Sequence, residues 1–194
     1  MSELVFLVEE RSIIEVLRVI VPNIIPENVL CRYVPHEGKS DLEKSIPRKL
    51  RAWRTPGVRF VVVRDRDQKN CRVTKEHLLA LCRKAKRPDT LVRIICHHLE
   101  SWYLGDLAAV EAAFNMNGIA RRQNQRKYRD PDALPNAEQE LRRLAPQYQK
   151  IAGSRAIAPH LNLDNNRPHS FNVFLSGIRT LFEGEIQYRE NHTG

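Results

Sequence analysis

Asp65 and Asp67 close the stretch Val58-Arg59-Phe60-Val61-Val62-Val63-Arg64-Asp65-Arg66-Asp67 and are spaced i, i+2. Alternation along a strand puts such residues on one side, so the pair can offer oxygens to one hard cation, Mg2+ or Mn2+. Other acids stand at comparable places. Glu9 and Glu10 follow the apolar run Leu4-Val5-Phe6-Leu7-Val8, and Glu100 comes shortly after Leu91-Val92-Arg93-Ile94-Ile95-Cys96. In an open α/β sheet, ligands collect at the carboxyl ends of parallel strands, so Glu9, Asp65, Asp67 and Glu100 can converge although they are distant in sequence. A local reading competes with this one. Strand-end acids also cap helices or pair with neighbours such as Arg64 and Arg66, and Glu100 can serve as an acid in the first turn of a helix.

The cations suggest a polyanionic partner. The 194 residues carry 32 Lys and Arg against 23 Asp and Glu, a net charge of +9, which suits nucleic acid but equally suits a solvated basic surface. One basic group is Arg48, Lys49, Arg51 and Arg54; another is Arg121, Arg122, Arg126, Lys127 and Arg129, around Tyr128. The second is the better candidate for phosphate contacts, because an irregular polar loop has little structural need of five cations. Gly38-Lys39-Ser40 at a turn into a helix resembles part of a P-loop, but the full motif needs glycine where Tyr33 stands. Lys39 can still meet one phosphate at a helix N-terminus, or simply occupy a turn.

The elements that must place these groups are read from periodicity. Four strands are expected, at residues 4–8, 29–34, 58–67 and 91–96. Between them Ser12 is expected to cap a helix with Ile13, Val16, Leu17 and Ile20 on one face. Two more helices are expected at 41–53, with Pro47 as a weak point, and at 74–86. This alternation predicts an α/β fold: a mainly parallel four-stranded sheet flanked by helices. After Glu100 the pattern becomes α-rich. Residues 101–114 read as helical with a break at Gly105-Asp106, 121–129 as a basic loop, 136–144 as a helix, and 156–167 as irregular. Phe171, Phe174, Leu175, Ile178 and Leu181 mark a last amphipathic helix. The division expected is a core over 1–105 and a helical C-terminal extension over 106–194 packed on it.

Cys31, Cys71, Cys82 and Cys96 form no CxxC pair, and no signal peptide precedes the first strand, which suggests a reducing cytoplasm. No apolar run is long enough to span a bilayer. Cys96-His97-His98 is a poor zinc motif, since adjacent strand residues face opposite ways and no second close ligand pair exists.

The strand-one glutamate, the later Asp-x-Asp strand end and the α/β order together resemble the TOPRIM domain of topoisomerases, primases and OLD-type nucleases. Nearly the whole chain resembles a bacterial TOPRIM-related family of unknown function. This wider resemblance runs through Leu7-Val8-Glu9-Glu10, His36-Glu37-Gly38-Lys39-Ser40-Asp41, Asp65-Arg66-Asp67, Leu99-Glu100-Ser101-Trp102-Tyr103-Leu104-Gly105-Asp106 and Ala156-Ile157-Ala158-Pro159-His160. The resemblance implies Glu9, Asp65 and Asp67 as ligands of Mg2+ or Mn2+, with Glu9 completing the metal shell or acting as general base, and cleavage of DNA or RNA in bacterial defence or DNA processing; Glu100, from its own position, offers a further metal ligand or a general base. It also implies a separately encoded ATPase as a partner. The alternative is a non-catalytic module that binds an ATPase or nucleic acid. Glu10 stands where the wider group commonly has glycine, and so offers itself as a substitute ligand. Lys150, Arg155 and His160 can line the cleft or serve as surface residues.

Overall fold

The computed structural model describes residues 2–65, 70–96 and 98–183. Runs of β-branched and aromatic residues make four strands: β1 (Ser2–Val8), β2 (Val29–Pro35), β3 (Arg59–Asp65) and β4 (Leu91–Ile95). They form one parallel sheet in the order β2-β1-β3-β4. β1 and β3 are central, and their middles, Leu4 to Val8 and Phe60 to Val63, are continuously apolar, as strands covered on both faces must be.

The chain moves one way from β1 to β2 and the other way from β2 to β3, so right-handed crossovers put the connecting helices on opposite faces. α1 (Arg11–Ile20) packs with Leu4, Phe6 and Val8 on one face, while α2 (Lys39–Ala52) and α3 (Cys71–Lys84) pack with Val5, Leu7, Phe60 and Val62 on the other. The α1 face also takes the later helices: α4 (Glu100–Leu104), α5 (Leu107–Ala113), α6 (Ala137–Leu144), α7 (Lys150–Ile157) and α8 (His169–Thr180). Trp102, Tyr148, Phe171 and Phe174 share one apolar cluster with Phe6 and Val63. Trp102 is fully buried, stands edge-on to Phe171, and donates from Nε1 to Ser170 Oγ at 3.0 Å. It thereby anchors α4, and with it Glu100; truncating so large a buried ring typically costs about 3–5 kcal/mol.

Several boundaries differ from the sequence expectation, each for a local reason. Glu10, not Ser12, occupies the cap position of α1, and the Ser12 hydroxyl donates back to the Glu10 carboxylate at 3.3 Å. α2 begins at Lys39 because Gly38, at φ 84°, takes a left-handed turn that other residues adopt only with strain; the helix then runs through Pro47. α3 begins at Cys71, capped by the Asn70 side chain, which accepts from the Arg72 amide. The break expected at Gly105-Asp106 is present, with Asp106 capping α5. α7 was not anticipated. No helix among the described residues is long and apolar enough to cross a membrane.

Candidate functional site

β1 and β3 are neighbours where the strand order reverses, the place where open α/β sheets leave a crevice at their carboxyl ends. Asp65 is the last residue of β3 and is buried, on the α1 side with Val61 and Val63. Glu100 opens α4 and is wholly buried, its Oε1 accepting from the Tyr148 hydroxyl at 2.8 Å. Lys150 opens α7 and places Nζ 2.6 Å from Glu10 Oε2. Gly153 lets this helix lie against Tyr148: a Cβ there would fall 2.2 Å from ring atom Cδ2.

These groups act on one another electrically. Burial pushes the Asp65 carboxyl well above the ordinary carboxylate range; the charges of Glu10, Glu100 and, least, Glu9 add to this, against the ammonium of Lys150. Desolvation pulls Lys150 down, but its hydrogen bond to Glu10 and the charges of Glu10, Glu100 and Asp65 outweigh that and raise it. Asp65 Oδ1 and Glu100 Oε2 are buried and make no hydrogen bond among the described residues. Buried carboxylate oxygens rarely remain so without a bound ion or water.

Glu9 faces a different environment. Its backbone amide continues the β1–β3 ladder to Val63 O, and its Oε2 lies 3.6 Å from Arg64 Nε. Arg64 is buried and reaches Glu43 on α2 at 2.6 Å, and Glu43 meets His77 on α3 at 3.2 Å. Close by, His36 ties the end of β2 to β1. Its Nδ1 donates to Val8 O at 3.0 Å and its Nε2 accepts from the Ser45 hydroxyl at 2.5 Å. Burial lowers the pKa of this ring, partly offset by the bond to Val8. The Gly38 amide donates to Glu9 O, which brings Lys39 and the start of α2 to the same end of the sheet.

A family model described as Domain of unknown function (DUF4276) matches residues 8–179. The chain belongs to this family. Among solved structures it is similar to the C-terminal region of the Burkholderia pseudomallei OLD protein, at 17% identity and a TM-score of 0.51, covering 92% of this chain and 97% of that one. Likeness at this identity is likeness of fold, and the fold is TOPRIM-like: a parallel four-stranded sheet flanked by helices, with further helices C-terminal. No curated protein matches the chain.

The stretch matched by DUF4276 contains every candidate. Of these, Asp65 and Glu100 come together with Glu10 and Lys150, whereas Glu9 is drawn toward Arg64. Asp67 lies outside the described residues, and among the described residues no three His, Cys, Asp or Glu side chains are grouped to hold a metal. Asp65 and Glu100 nevertheless fit a hard cation, since each keeps a buried carboxylate oxygen available. Arg121, Arg122, Arg126 and Arg129 are exposed, while Lys127 pairs with Glu140 at 2.6 Å and lies over the Tyr128 ring. The basic segment is braced by Arg167, which donates to Gln123 O and Asn124 Oδ1. Just beyond it, Asp132 accepts from the Ser101 hydroxyl, next to Glu100. Tyr148 was missed and Lys150 set aside in the sequence. The signal that would have found Lys150 is Glu10, since an acid added beside Glu9 and Asp65 calls for a nearby cation.

Proposed function

We propose that this protein is a divalent-metal-dependent phosphodiesterase acting on nucleic acid. One observation carries the reading: Asp65 and Glu100, both buried at the carboxyl end of the sheet, keep an oxygen each without a hydrogen bond among the described residues. In this reading Asp65, Asp67 and Glu100 hold Mg2+ or Mn2+, with Glu10 or Glu9 completing the shell or acting as general base. When bound, such a metal polarises a phosphodiester and makes water more acidic. The protein's own groups do the rest. The Tyr148 hydroxyl fixes the Glu100 carboxylate, and Lys150 orients Glu10 while supplying a positive charge for a phosphate oxygen. Lys39, Arg121, Arg122, Arg126 and Arg129 draw in the polyanion, giving salt-dependent binding; Lys127 braces their loop through Glu140.

The test is cleavage of labelled single-stranded and duplex DNA and RNA with Mg2+ or Mn2+, comparing wild type with Asp65→Asn/Asp67→Asn. Metal-dependent products from wild type alone support the reading and identify the polymer. A second reading, a non-catalytic module binding nucleic acid or a separate ATPase, is favoured by the Lys150–Glu10 pair, which already brings one cation to the acids. Absence of cleavage from a folded, metal-binding wild type would select it.

A further inference from the structure

The fold brings together two cysteines that the sequence keeps 25 residues apart: Cys71 Sγ and Cys96 Sγ lie 3.2 Å from each other. Cys71 is the first residue of α3, and Cys96 directly follows β4. Both are part-exposed, so a small oxidant can reach them. A disulfide requires about 2.05 Å between sulfurs, so closure asks for an approach of about 1 Å. Burial pushes the Cys82 thiol up to about 11 and also raises Cys31, which keeps both as poorly reactive thiols.

We propose that Cys71 and Cys96 are an oxidation site at which a hydroperoxide forms an intramolecular disulfide, tying the start of α3 to the end of β4. One thiolate attacks a peroxide oxygen, the O–O bond breaks, and a sulfenic acid and water result. The second thiolate attacks that sulfur and expels hydroxide, which leaves as water. Overall two thiols lose two protons and two electrons, and hydrogen peroxide becomes two waters. In a reducing compartment such a bond is a transient, sensing one.

The position gives the bond a consequence. Cys71 opens α3, downstream of Asp65, and Cys96 lies just upstream of Glu100, so in this proposal a bond between them pulls on the two segments that carry the carboxylates. This consequence rests on the reading of Asp65 and Glu100 as cation ligands. Oxidation is therefore expected to weaken Mn2+ binding several-fold.

The experiment treats the full chain with hydrogen peroxide, blocks remaining thiols by alkylation, and maps peptides without reduction, beside Cys71→Ser, Cys96→Ser and the control Cys31→Ser. Mn2+ titration of the same samples follows, before and after dithiothreitol. The expected result is a Cys71–Cys96 linked peptide in wild type and Cys31→Ser only, with Mn2+ affinity lowered several-fold and restored by reductant. Absence of that linked peptide, or cross-links through other cysteines or between chains, overturns the oxidation site. A linked peptide with unchanged Mn2+ affinity overturns its effect on the acids. Failure of the reduced protein to bind Mn2+ at all counts against the cation reading, while the peptide map still decides the disulfide.

Discussion

The carboxyl ends of β1 and β3 serve two unlike environments. On one, Glu9 and Glu43 surround the buried guanidinium of Arg64, and His77 adds a second basic group at the rim. On the other, Asp65, Glu10 and Glu100 face the ammonium of Lys150, and two carboxylate oxygens are left without hydrogen bonds among the described residues. The first set gathers its acids around a guanidinium and ties the ends of β1 and β3 to α2 and α3. Among the described residues the second sets three carboxyl groups against one ammonium, an arrangement that suits a hard cation. A buried acid is therefore informative less by its identity than by whether its neighbours have already balanced it.

Chemistry should divide the two sides most sharply. Asp65→Asn is expected to lower Mn2+-dependent cleavage about a thousandfold, the scale seen when a key electrostatic group is lost, and Glu9→Gln far less; equal losses would break the distinction. Stability should divide them in the opposite sense. Arg64→Met removes the buried guanidinium between Glu9 and Glu43 and is expected to cost about 3 kcal/mol in urea unfolding, whereas Lys150→Met, at a partly exposed pair, should cost about 1 kcal/mol. A smaller effect concerns the ion itself: Mg2+ at a hundredfold excess over its Kd should stabilise wild type by about 2.7 kcal/mol, and Asp65→Asn should lose this response while Arg64→Met keeps it.

The smallest expected effect is a pair of opposite pH slopes in metal-free buffer. Asp65, raised in the fold, contributes stability below its unfolded value and loses it as pH rises through the raised folded value. His36, lowered in the fold, contributes stability above its unfolded value of about 6.5 and loses it as pH falls through its folded value. Urea midpoints from acid to mildly alkaline pH should show the first slope vanish in Asp65→Asn and the second in His36→Gln. Slopes unchanged in both variants would mean that other groups dominate.

The four strands were legible because their runs are rich in apolar residues, broken by single arginines in β2 and β4, and end in acids or turns, and the parallel order followed from the helices between them. Asp65 and Glu100 were legible as strand-end and helix-start acids for the same reason. Strand-end position alone did not tell which side Glu9 takes: alternation from Leu7 sends it to the α2 side, where Arg64 lies, although its charge is still felt at Asp65. Residues of α7 carry little amphipathic pattern, with Ala152, Gly153 and Ser154 at its centre, so the helix was invisible to periodicity. Lys150 went with it, since its link to Glu10 crosses most of the chain and only folding supplies it.

Gly153 sits one turn after Lys150 on α7, with the ring of Tyr148 filling the space a side chain would need. Alanine in place of glycine normally steadies a helix by about 1 kcal/mol; at this position the added methyl is a wedge between the helix and the ring. The wedge would move two groups together, the ammonium that meets Glu10 and the phenol that meets Glu100. Gly153→Ala is thus expected to detune the acids without altering any of them, which places a residue with no polar atom in its side chain among those that set the site's mechanical tolerance.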